Sequence, residues 1–228
     1  MSSEVTDPRT RGRRFKVVGA PQPLTDRAVD DSDARSLHLI RAECNLSRFR
    51  TFEERVIVRM IEASGIGEIA EDVVMSSSFA VQARLALLSS ATILCDTNVV
   101  AAGIAQHKLP SENTGVCKAD HEECVQRAKD AGMSPEAAAV DFWHSSLKGC
   151  VVVIGSSAPA LRRLIEHLSR GWPKPAAIIG LPAGFGDAPD AKSELVAYGE
   201  VPFLTIAGRK GGSVIAAAAL NALASIGE

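Results

Sequence analysis

Cys150-Val-Val-Val-Ile154, then Gly155-Ser-Ser157, then a helical pattern over residues 159–170, is the stretch that decides the fold. An apolar run of five, rich in β-branched residues, reads as a strand buried on both faces. The small residues after it turn the chain, and Pro159 suits a first helical turn. The unit recurs through the C-terminal half. Residues 176–181 lead through 182–186 into a helix over 189–197, and 202–207 lead through the glycine-rich 208–212 into a helix over 213–224. Upstream, 91–96 lead into 98–106, and Val116 and Cys117 mark one further short strand. Short strands alternating with helices predict an α/β fold, a mostly parallel sheet flanked by helices on both faces and doubly wound. In such folds ligands bind beyond the carboxyl ends of the strands, where these loops of small residues converge.

The N-terminal half supplies helices. Ser32 or Asp33 is expected to cap a helix through Leu37, Leu39 and Ile40 that ends before residues 45–49. Val56, Ile57, Met60 and Ile61 recur at helical spacing over 52–63, and Ser64-Gly65 reads as a left-handed stop. Another helix is expected over 79–88. Residues 1–30, polar and containing Pro8, Pro21 and Pro23, read as a flexible tail, and 31–228 as a single domain.

Composition narrows the function. Of 228 residues 46% are apolar, so the chain is globular rather than disordered. A net charge of −2 and 4% aromatic residues leave neither an electrostatic footprint nor a stacking platform for nucleic acid. No apolar stretch approaches the roughly 18 residues of a membrane helix, and the basic N-terminal stretch has no apolar segment behind it, so no membrane or secretory role is expected. Cys44, Cys95, Cys117, Cys124 and Cys150 lack the spacing of a disulfide framework. Cys117, His121 and Cys124 offer three ligands without an evident fourth. The expectation is reduced thiols in a cytoplasmic protein, with no metal.

Among motifs, no G-x-G-x-x-G follows a strand and no phosphate-binding G-x-x-x-x-G-K-[ST] occurs, so no nucleotide cofactor is expected. Gly208-Arg-Lys-Gly-Gly-Ser213 supports two readings. It can receive a phosphate or carboxylate on backbone N–H groups with help from Arg209 or Lys210, or it is only a tight turn that needs positive φ. No G-x-S-x-G elbow occurs, and the five histidines show no spacing that suggests a triad.

With these residues in place, the chain from about Arg35 to Ala224 resembles the precorrin-8X methylmutases (precorrin isomerases) of cobalamin biosynthesis. The matching stretches are Arg35-Ser36, Ile40-Arg-Ala-Glu43, Leu46-Ser-Arg-Phe49, Val58-Arg-Met60 and Ile93-Leu-Cys-Asp96. Further along come Val100-Ala101 with Gly103, the strand Val152–Gly155, Pro182-Ala-Gly-Phe185, Lys192, Pro202-Phe203, Gly208-Arg209 and Gly211-Gly-Ser213. The resemblance implies an isomerase that moves a methyl group from C-11 to C-12 of precorrin-8X, giving hydrogenobyrinate. It also implies no cofactor and a homodimer with sites near the interface. The substrate it implies is a tetrapyrrole, metal-free or cobalt-containing, held by Arg35, Ser36, Ser156, Gly184, Phe185, Lys192, Arg209, Gly211 and Gly212.

Three places depart from the family pattern. Glu62, in Arg59-Met-Ile-Glu-Ala-Ser-Gly65, stands where the family carries a histidine that protonates or hydrogen-bonds the ring. An ordinary glutamate is ionised at neutral pH and donates no proton, while burial against a macrocycle and the negative end of a helix both favour its neutral form. Against that acid role stands a simple pair with Arg59, three residues earlier on one helix face. Pro135, between Ser134 and Glu136, replaces a commonly found arginine and reads as a first helical position, and Ser156 replaces an asparagine. These losses keep a second reading open, a weakly or non-catalytic paralogue that binds a tetrapyrrole or corrinoid.

Overall fold

The computed structural model describes the backbone of residues 26–225 and the side chains from residue 34. The chain divides into two units, Met1–Ser36 and Leu37–Glu228. In order, the elements are α1 (Asp26–Glu43), α2 (Thr51–Ser64), α3 (Ile69–Asp72), β1 (Val73–Met75), α4 (Phe79–Leu88), β2 (Ile93–Cys95) and α5 (Asn98–Gly103). After one 3-10 turn follow β3 (Gly115–Cys117), α6 (Glu122–Ala131), α7 (Pro135–Val140), α8 (His144–Leu147), β4 (Val151–Ile154) and α9 (Ala158–Ser169). The chain closes with β5 (Ala177–Gly180), α10 (Ala188–Tyr198), β6 (Phe203–Ile206) and α11 (Ser213–Ala224).

Six strands form one sheet in the order β1-β6-β5-β4-β2-β3. All neighbours are parallel except β1, which runs antiparallel to β6 with Val73 opposite Ile206. The alternation of side chains along a strand explains why both faces are covered. Val151 and Val153 enter one core with Ile179, Leu204 and Leu220, whereas Val152 and Ile154 enter the other with Ile178, Leu161 and Leu195. α2, α4, α5 and α11 pack over the first face, and α7, α9 and α10 over the second. Such a strand has no polar face to turn outward. That is why its sequence is a continuous apolar run.

The sequence places most helix ends well. Gly65 closes α2 at φ 68°, its N–H bonded to the Ile61 carbonyl. Ser134 caps α7, its hydroxyl accepting from the Ala137 N–H, with Pro135 in the first turn. One start differs. α1 runs over Asp26–Glu43, so Ser32 and Asp33 fall inside the helix and are not its caps. The tail expected over residues 1–30 lies, up to residue 25, outside the described residues.

Candidate functional site

The parallel strands all end on one edge, and four loops meet there. The connection after β2 leads to α5, which packs with α11, whereas the connection after β4 leads to α9, which packs with α10 on the opposite face. β2 and β4 are neighbours, so the sheet's switch point lies between them.

Asp96, the residue after β2, fills that point. It is fully buried, and its Oδ1 accepts from the Gly155 N–H at 3.1 Å. Its Oδ2 accepts from the Ser156 and Ser157 N–H groups, each at 2.8 Å. Burial pushes this carboxyl above its ordinary range, while the N–H groups of Ser157, Ser156, Gly155 and Thr97 pull it back down. Ser157 in turn caps α9 by accepting from the Ala160 N–H at 3.2 Å. The Ser156 hydroxyl is left at the exposed edge, 2.8 Å from that of Ser213 at the start of α11. Gly155 is required for this closeness, because a Cβ there would lie 2.6 Å from Ser213 Cα.

Beside these hydroxyls lies an open cleft of about 380 Å³ at the starts of α7, α9 and α10, lined by Ser134, Glu136, Ser156, Ser157, Gly184 and Asp187 among others. Its lining includes two carboxylates and neither lysine nor arginine. Asp187 is already paired with Arg162 at 3.1 Å.

The loops after β5 and β6 clasp each other. The Gly184 N–H donates to the Arg209 carbonyl at 3.1 Å and the Gly212 N–H to the Leu181 carbonyl at 2.7 Å. Gly211, at φ 151°, has no room for a side chain, since a Cβ would run into the Leu181 carbonyl oxygen. Phe185 projects from the tip, 84% exposed, with the Arg209 guanidinium 4.5 Å from its ring centre. Lys210 is drawn off to Asp72 at 2.8 Å. Lys192, only 1% exposed, sits beneath the turn and donates to the Lys210 carbonyl at 2.7 Å. Burial lowers its pKa to about 8, against the pull of Asp72.

The structure thus brings Ser156, Gly184, Phe185, Arg209, Gly211 and Gly212 to one rim, with Lys192 as a buried prop below it. Glu62 does not line the cleft. Its side chain is 25% exposed and its Oε2 is 2.6 Å from the Arg59 guanidinium. Arg35 and Ser36 lie on α1 within the N-terminal unit. Among the described residues no group of three or more His, Cys, Asp or Glu side chains is placed to hold a metal, and the five cysteines are free thiols. No helix among the described residues is long and apolar enough to cross a membrane.

Sequence reasoning assigned no role to Asp96 or to Ser213. The available signal for Asp96 was an acidic residue directly after the apolar run of a central strand. Its partners lie about sixty positions further along, beyond any local pattern.

Comparison with known proteins sharpens the picture. The family model described as CbiC, Precorrin-8X methylmutase, matches residues 32–226. A relative from Sinorhizobium sp named precorrin-8X methylmutase is 44% identical over 195 residues, covering 85% of this chain and 92% of that protein. One of the same name from Pseudomonas aeruginosa is 40% identical over 192 residues, covering 84% and 92%. Relatives named cobalt-precorrin-8 methylmutase stand at 25–30% identity. The crystal structure of a precorrin-8X methyl mutase from Thermus thermophilus superposes with a TM-score of 0.77 at 30% identity, covering 85% of this chain and 95% of that one.

Proposed function

The chain belongs to the precorrin-8X methylmutase family, and on that premise we propose that it catalyses the methyl shift from C-11 to C-12 of precorrin-8X, giving hydrogenobyrinate in cobalamin biosynthesis. The observation that carries this reading is the match over residues 32–226, together with 44% identity over 195 residues to a protein of that name. Metal-free precorrin-8X is the substrate, because the more similar relatives carry that name and those named for the cobalt form are less similar. The rim suits a flat, acid-fringed ring. Phe185 offers a face to stack on, Arg209 a charge for a carboxylate, and the Ser156 and Ser213 hydroxyls further donors.

Glu62 stands in the place of the family's histidine. To deliver a proton it must leave the Arg59 guanidinium, which holds its Oε2 at 2.6 Å. The enzyme works as a homodimer in the cytoplasm. An exposed apolar stripe on α4, Val81, Leu85 and Leu88, supports a second copy as partner. Free thiols suit a reducing compartment.

One observation favours a second reading, a tetrapyrrole-binding protein with little or no turnover: the Glu62 carboxylate is engaged by Arg59 at 2.6 Å. A single experiment separates the two. Purified protein is mixed with precorrin-8X and hydrogenobyrinate is followed by its absorption. Steady conversion supports the isomerase; tight binding of hydrogenobyrinate without conversion supports the binder.

A further inference from the structure

We propose that Asp96 is a positioning residue for the tetrapyrrole: it occupies the anion seat at the start of α9 from within and thereby fixes Ser156 to receive a ring carboxylate together with Ser213. The proposal rests on the tetrapyrrole reading above.

The start of the helix after a central parallel strand, at the switch point of the sheet, is ordinarily where an open α/β fold takes an anion from outside. Here the protein's own carboxylate sits there. Asp96 is inaccessible to solvent and takes the N–H groups of Gly155, Ser156 and Ser157, while Ser157 Oγ takes that of Ala160. An incoming carboxylate would find those donors already used. What faces outward instead is the Ser156 hydroxyl, beside the Ser213 hydroxyl at 2.8 Å. Two hydroxyls that share one hydrogen bond leave a second O–H to donate outward.

Asp96 sets where that pair stands. Its bond to the Ser156 N–H fixes the backbone that carries one hydroxyl, and the absence of a side chain at Gly155 lets α11 bring up the other. Both hydroxyls lie at helix starts, where the dipoles favour an anion. The seat is therefore moved outward by one side chain, from backbone amides to serine hydroxyls.

The test is a mutant cycle in the full-length protein, with Asp96→Asn, Ser156→Ala and the double variant assayed on precorrin-8X and melted thermally. Asp96→Asn keeps the shape but turns an amide NH2 toward backbone N–H groups. We expect each single change to raise KM about tenfold, the worth of one hydrogen bond to a charged group, with kcat nearly unchanged. The double variant should be no worse than Asp96→Asn alone. A lowered melting temperature with unchanged KM, or a double variant whose effect is the product of the singles, overturns the proposal. Should Asp96→Asn fail to fold, Ser156→Ala and Ser213→Ala decide: each must raise KM without adding to the other, and an unchanged KM in either overturns it. If the wild type does not turn over, the isomerase reading falls by itself, and the same variants are compared by their Kd for hydrogenobyrinate. Absence of binding by the wild type overturns both.

Discussion

The two halves of the strand-end rim are built on opposite plans. Around Asp96 every backbone donor of the Gly155–Ser157 loop is satisfied by a buried carboxylate, and α11 approaches too closely to admit a Cβ at Gly155. Five residues past β5, by contrast, Phe185 stands almost wholly in solvent between two glycines, with an arginine resting on its ring. The first half has its backbone donors bonded within the protein; the second presents a large apolar face to water. For the proposed macrocycle the two halves serve different ends. One part fixes register, and the other can close over a face at little cost in internal contacts.

Substitutions that fill space should separate the halves most. Gly155→Ala forces α11 away from the loop after β4 and is expected to lower stability by about 3 kcal/mol, roughly 6–12 °C in melting temperature for a chain of this size. Gly184→Ala meets no atom within 4 Å and only the strain of φ 135°, so it should lower the melting temperature by less than half as much. Equal losses would dissolve the contrast.

Acid sharpens it from another side. Asp96 has a half-buried counterpart in Asp141, which accepts from Arg163 at 2.6 Å, His167 at 2.7 Å and Arg127 at 2.9 Å. Burial alone would push Asp141 up, but these partners hold it at about 2. Its folded pKa lies below its unfolded value, so its contribution is present above the ordinary carboxylate range and is lost as pH falls from about 4 through 2. That is worth about 2 kcal/mol. Asp96 has only neutral donors and burial prevails, so its sign is reversed: its contribution is present below the ordinary range and fades as pH rises through its folded pKa. Melting curves from pH 2 to 6 should show Asp141→Asn flattening the acid limb, and Asp96→Asn leaving that limb in place.

The smallest effect concerns the open half. Phe185→Ala removes a ring that touches little of the folded protein, so stability should change by less than about 0.5 kcal/mol. KM for precorrin-8X should rise about fivefold to tenfold, about 1 kcal/mol of lost stacking. Stability and KM measured on one preparation check the split.

How much of this was legible in the sequence depends on how local the cause was. The strands β2, β4, β5 and β6, the end of α2 at Gly65 and the capped start of α7 are written in neighbouring residues, and so is the α/β class. β1 was not read. It is three residues long and owes its pairing to β6, more than a hundred positions away. α6 was missed because Cys124 and Ala128 are its only buried residues, too few for a helical stripe. Around the candidate site, the glycine turns were legible as glycine-rich runs after strands and Phe185 came from the family resemblance, whereas the place of Asp96 depends on a tertiary contact. The resemblance placed Lys192 at the tetrapyrrole; in the structure its ammonium is buried and donates to the Lys210 carbonyl.

Precorrin-8X carrying 13C in its C-11 methyl group, incubated with the wild-type protein and followed by NMR, tests the central claim most directly. The account predicts that the label moves to the methyl on C-12 as hydrogenobyrinate accumulates, faster in Glu62→His and slower by about a hundredfold or more in Glu62→Gln. Label that stays on C-11 in the presence of folded wild-type protein would contradict it.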